Sequence, residues 1–103
     1  MVENVLIDAA RYAVEITDGP LVGNGRDCAG VTDFNEAKIQ LRKEAALSGG
    51  AARLLMHEVI HAIMYERGLT EETYNEQIVD TVAAGVVNLI RQNPDLVRLI
   101  VEG

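Results

Sequence analysis

The chain has 103 residues, with 16 Asp and Glu against 9 Lys and Arg and a net charge of −7. It lacks the basic cluster that displaces counterions from a phosphate backbone, so nucleic acids and anionic membranes are not expected partners. The length predicts one domain over residues 1–103, able to bury a core without staples, and the single Cys28 cannot form an internal disulfide. No basic region precedes an apolar stretch near Met1, and no window approaches the roughly 18 apolar residues of a membrane span, which predicts a soluble, cytoplasmic protein. The only two histidines, His57 and His61, stand four residues apart.

Taken in chain order, the first part reads as β. Val5 and Ile7, then Tyr12, Val14 and Ile16, alternate as in half-buried strands. The Asp8-Ala9-Ala10-Arg11 stretch between them closes a hairpin or, alternatively, forms a short helix. Asp18-Gly19-Pro20 and Gly23-Asn24-Gly25 predict a long irregular loop that includes Cys28. From Val31 to Leu47 local signals conflict: Ala37, Ile39 and Leu41 alternate as in a strand, whereas Glu36, Ala37, Lys38 and the run from Arg42 to Ala46 favour helix.

The second part reads as helical. Leu54, Leu55, Ile60, Ile63 and Met64 recur at spacings of three and four within Ala51 to Arg67, and Gly68 stands where a helix ends in a left-handed residue. Thr70 is the expected cap of a second helix, with Glu71 and Glu72 in its first turn. That helix runs through Ile78, Val79, Val82, Val86, Leu89 and Ile90. Asn93-Pro94 repeats the start signal and opens a last helix from Asp95 to Val101. The fold class expected is α+β: a small N-terminal antiparallel sheet, a helix bearing the histidines, a second long helix and a short C-terminal one.

On the first long helix stands His57-Glu58-Val59-Ile60-His61, the pattern HExxH. Residues four apart on a helix share a face, roughly 5–6 Å apart at Cβ, so both imidazoles can converge on one ion. Glu58, beside that pair, can take a proton from a water that the ion has acidified. Two imidazoles leave a catalytic zinc one protein ligand short. With no histidine remaining, a carboxylate must supply it, and after the motif the candidates are Glu66, Glu71, Glu72, Glu76, Asp80, Asp95 and Glu102. A rotation of about 100° per residue places Glu76 at the N-terminal end of the stripe Val79, Ala83, Val87 and Ile90 that must face the core. Asp80, one turn on, is the alternative ligand, or an outer acceptor for a histidine N–H. Glu71 and Glu72 read as solvated first-turn charges, and Glu66 as solvent-facing near a helix end.

The run Leu54 to Ile63 around the HExxH, followed by Glu76-Gln77-Ile78-Val79-Asp80-Thr81-Val82-Ala83, resembles small gluzincin zinc peptidases, in particular ImmA/IrrE-type domains and the minimal versions found in phages and prophages. In that family the HExxH helix is followed by a glutamate helix of the form E-x-x-A-N-x-x-A; here Val79 stands at the first alanine position and Asp80 at the asparagine. Gly30 to Leu41 resembles the family's strand, turn and edge strand, which turns the reading of Ile39 to Leu41 towards strand. Such an edge strand could hold an extended peptide by backbone pairing. The resemblance implies that His57, His61 and Glu76 hold Zn²⁺, that Glu58 is the general base, and that the substrate is a peptide or protein, a transcriptional repressor being the ImmA/IrrE-type case. An oxyanion-stabilising group is also expected, for which Tyr74 and Tyr65 are available although each also reads as a core or rim aromatic. Two other readings stand beside this endopeptidase: a catalytically silent zinc module, such as a phage accessory protein, and an all-helical interaction domain without metal.

Overall fold

The computed structural model describes residues 2–23, 26–69 and 75–103. Six strands, β1 (Asn4–Ile7), β2 (Ala10–Thr17), β3 (Leu21–Gly23), β4 (Arg26–Cys28), β5 (Gly30–Asp33) and β6 (Lys38–Arg42), precede the helices. A short turn of helix, α1 (Lys43–Ala45), and a kinked stretch, Ala46–Gly50, broken at Gly49 with a φ of 92°, lead into α2 (Ala51–Glu66), α3 (Glu76–Gln92) and α4 (Pro94–Glu102). The class is α+β, as expected, and the sheet removes the all-helical reading.

The Asp8-Ala9 segment closes a hairpin, pairing Ile7 with Ala10. Asp8 takes a positive φ of 54°, a conformation that aspartate tolerates better than most residues. Its carboxylate then accepts two hydrogen bonds from Arg67, each 3.0 Å, which tie the turn to the C-terminal end of α2.

The four-stranded sheet has the order β1-β2-β6-β5, and it is mixed rather than antiparallel throughout, because β2 and β6 run parallel. The physical cause is the connection: between Thr17 and Lys38 the chain passes through β3, β4 and β5, long enough to bring β6 back in the direction of β2. The segment expected as an irregular loop is therefore ordered differently. Leu21–Gly23 pairs antiparallel with Arg26–Cys28, and half-buried Cys28 lies at the end of that strand; Asn24 and Gly25 fall outside the described residues.

The conflict over residues 36–46 resolves into two elements. Lys38–Arg42 is strand and Lys43–Ala45 begins the helical part. Ile39 and Leu41 are both fully buried, so packing at the sheet centre overrides the helical preference of their neighbours. β6 is not an edge strand, since it lies between β2 and β5; the outer strands are β1 and β5.

The core forms where α2 lies on the sheet. Ile7, Tyr12, Ile39, Leu41 and Ala62 are buried together, and Leu54, Leu55 and Val59 pack against them. α2 ends as the glycine predicts: Gly68 has a φ of 89°, its N–H bonds to the Tyr65 carbonyl, and the Leu69 N–H reaches back to Met64. This pair of bonds is the Schellman arrangement, which satisfies carbonyls the helix leaves open. α3 buries Val79, Ala83 and Val87, the stripe expected, while Ile90 is exposed. α4 spans Pro94–Glu102 and buries no residue; Asn93 donates its side-chain N–H to the Leu89 carbonyl instead of capping α4. Among the described residues no helix is long and apolar enough to cross a membrane.

Tyr12, fully buried on β2, donates a 2.7 Å hydrogen bond to the Glu66 carboxylate at the end of α2. Replacing it by phenylalanine is expected to cost about 1 kcal/mol at neutral pH, read as a lower urea midpoint. Burial, and then the carboxylate that accepts its proton, raise this phenol above the ordinary tyrosine range. With the folded-state pKa above the unfolded value of about 10, the stabilisation is complete below that pH and declines as pH rises through it. Between about pH 8 and pH 11 the wild type should therefore lose more stability than Tyr12→Phe. Equal losses would show that Tyr12 ionises as freely in the fold as in the unfolded chain.

Candidate metal centre

α2 presents His57 and His61 one turn apart on the side that meets α3. Their Nε2 atoms are 3.2 Å from each other, with the rings inclined at 61°. Both nitrogens therefore face one point in space.

The third group arrives from α3. Burial of Val79 and Ala83 presses this helix against α2, and Asn75 sets where it starts by accepting a 2.9 Å hydrogen bond from the Ile78 N–H. Asn75, not Thr70, is thus the N-cap; Thr70, Glu71 and Glu72 lie outside the described residues. The start is later than the first-turn acids predicted because a carbonyl-bearing side chain directly before Glu76 satisfies the Ile78 N–H, one of those the helix start leaves open. Glu76 is consequently the first residue of α3, where the positive end of the helix dipole favours a carboxylate.

From that position Glu76 spans both imidazoles, Oε1 lying 2.8 Å from His61 Nε2 and Oε2 lying 2.9 Å from His57 Nε2. Among the described residues, His57, His61 and Glu76 form a group able to hold a metal ion, their ligand atoms all within 4.8 Å of one another. The two imidazoles are largely buried, whereas the Glu76 side chain is 71% exposed, so the site opens to solvent along α3.

Asp80 does not join this group. Its Oδ1 lies 3.5 Å from His57 Nδ1, the ring nitrogen pointing away from the site, and its Oδ2 accepts a 2.7 Å hydrogen bond from Arg53. The Arg53 bond, opposed by burial and helped by the charges of Arg53 and His57, holds the Asp80 carboxyl below its usual range. This is the position of an outer acceptor, on the His57 ring nitrogen opposite the one that faces Glu76.

Glu58 lies beside these three residues without belonging to the group. It is buried, with Oε2 at 4.0 Å from His57 Nε2 and Oε1 accepting a 2.8 Å hydrogen bond from Thr32 Oγ1 on β5. Burial raises its pKa; the Thr32 bond and the two histidines oppose that shift.

The remaining candidates separate clearly. Glu66 is engaged by Tyr12, and Asp95 and Glu102 belong to α4, outside the group. The Tyr65 ring stacks on Phe34 at 4.4 Å, the rim-aromatic role; Tyr74 lies outside the described residues. Sequence reasoning did not single out Thr32, Gly30 or Arg53. Arg53 precedes His57 by one helical turn, a spacing that could have flagged it. Nothing local connects Thr32 to a glutamate 26 positions later.

Comparison with protein families, curated proteins and solved structures finds no match. The likeness to gluzincins therefore rests on this chain's own residues.

The ligand assignment predicts different responses to two substitutions. Glu76→Ala removes a donor and should abolish stoichiometric retention of a divalent ion after dialysis. Asp80→Ala should keep one ion per chain and weaken its affinity by about 10- to 100-fold, measured by competition with a chromophoric chelator. Ion lost from the Asp80 variant while Glu76→Ala retains it would reverse the two roles.

Proposed function

We propose that this chain is a zinc-dependent peptidase of the small gluzincin kind, cleaving peptide bonds within an extended segment of a peptide or protein. The observation that carries the reading is the placement of Glu76 across both Nε2 atoms with a buried Glu58 held just outside that triangle.

The donor set suits zinc. Bonds of roughly 2.0–2.1 Å in tetrahedral geometry require ligand atoms about 3.3–3.4 Å apart. The two Nε2 atoms stand 3.2 Å apart and Glu76 meets them through different oxygens, at 2.8 and 2.9 Å; one ligand atom from each residue lies within 4.8 Å of the others, so a side-chain adjustment brings the three to that spacing. Charge favours a cation as well: Glu58, Glu76 and Asp80 surround the imidazoles, and Arg53 is the cation paired with them among the described residues. Among those residues three donors converge, which leaves one tetrahedral position for water and supports a catalytic over a closed structural site.

When bound, zinc supplies a Lewis acid that polarises a carbonyl and acidifies water. The chain's own groups do the rest. Glu58, with Oε1 occupied by Thr32, has Oε2 available to accept a proton on the side of the histidines. His57 is oriented by Asp80, and burial of Glu58 and both imidazoles limits their contact with bulk water. β5, one of the two outer strands of the sheet, runs directly past Glu58 and, among the described residues, has no ladder partner on its far side. An extended substrate would pair there by backbone hydrogen bonds. That edge is β5 rather than the Ile39 to Leu41 strand.

Glu58→Gln tests the reading. With zinc content unchanged, hydrolysis of a pooled set of fluorogenic peptides should fall by at least about 100-fold, the scale of a lost general base. Unchanged turnover would remove Glu58 from that role. Stripping the wild type with a chelator should abolish hydrolysis, and adding zinc should restore it.

A further inference from the structure

β5 approaches Glu58 with two residues of the same face. Side chains alternate along a strand, so Gly30 and Thr32 point the same way, towards α2. Thr32 Oγ1 donates to Glu58 Oε1 at 2.8 Å and lies 3.3 Å from the Glu58 carbonyl oxygen. Gly30 provides space: a Cβ added there would stand 3.2 Å from both Glu58 Cγ and Oε2, and 3.1 Å from Leu41 Cδ2. Gly30 does not have the positive φ that would by itself call for glycine. Its lack of a side chain is therefore a matter of clearance, at a strand position where glycine is otherwise unfavourable.

We infer that Gly30 and Thr32 of β5 form a cradle for the Glu58 carboxylate, with Thr32 a positioning residue that engages Oε1 so that Oε2 is left facing the histidine pair. A glutamate has three side-chain torsions, and neither oxygen of a buried carboxylate is otherwise distinguished. One hydroxyl on one oxygen breaks that symmetry, and the missing Cβ at residue 30 lets the second oxygen lie flat against the strand. The neighbouring backbone contact does not require this arrangement, because a hydroxyl bound to the Glu58 carbonyl alone would leave the carboxylate unoriented.

The inference rests on the peptidase reading, and a small zinc ligand separates the two. Acetohydroxamic acid chelates zinc through its two oxygens and can donate a proton to an adjacent carboxylate, so its affinity for the zinc-loaded full chain reports the orientation of Glu58. Calorimetry on Thr32→Val should show binding weakened about tenfold or more, the scale of a lost bond to a charged group, with zinc affinity unchanged. Thr32→Ser, which keeps the hydroxyl, should bind as the wild type does. Gly30→Ala should weaken binding while retaining Thr32, and it carries the test if Thr32→Val does not fold. In a Glu58→Gln background the further effect of Thr32→Val should vanish, since Thr32 acts through Glu58. Wild-type affinity in Thr32→Val, or in Gly30→Ala if Thr32→Val does not fold, or an undiminished Thr32→Val effect in the Glu58→Gln background, would overturn the cradle while leaving the peptidase reading intact. A wild type that holds zinc but binds no hydroxamate, or that holds no zinc, would overturn both.

Discussion

The contact on which the site depends is the Glu76 carboxylate lying across two imidazoles that belong to a different helix. It is made by an exposed side chain at the first residue of α3, and nothing local to Glu76 holds it there. Burial further along does: Val79 and Ala83 are fully enclosed on α3, which packs against α2. The apolar contact thus fixes the polar one. A carboxylate at this position would otherwise be a solvated charge in a first turn, as such residues ordinarily are.

α2 is consequently asked to serve two surfaces. One side carries Leu54, Leu55, Val59 and Ala62 onto the sheet, and the side towards α3 carries His57 and His61. Glu58 falls between these surfaces, next to β5, and is the one buried acid in the described chain. Leaving such a group without a partner would be costly. Thr32 satisfies one oxygen, and no buried side-chain polar atom among the described residues is left without a hydrogen bond. The burial that makes Glu58 expensive to ionise is also what keeps it close to the histidines rather than in solvent.

Asp80 shows how a carboxylate acquires its role from its surroundings. By helical spacing alone it is as plausible a ligand as Glu76, one turn away on nearly the same face. In the fold it meets the outward nitrogen of His57 and the Arg53 guanidinium, an arrangement that connects the starts of both helices through charge. A carboxylate there can be held ionised by Arg53, which an amide could not exploit in the same way.

Much of this was legible in the residues themselves. The HExxH helix, its termination at Gly68 and the buried stripe behind Glu76 follow from periodicities of three and four and from the backbone freedom of one glycine, all properties of a few consecutive residues. The strand at Lys38–Arg42 and the parallel pairing of β2 with β6 did not follow, because each is decided by competition between a local preference and a partner distant in sequence. The same holds for the division of labour between Glu76 and Asp80 and for the seat of Glu58 on Gly30 and Thr32. Spacing along one helix states which side chains share a face; only the packing of α3 and β5 against α2 decides which oxygen meets which nitrogen, since that depends on distances between elements the sequence does not encode locally.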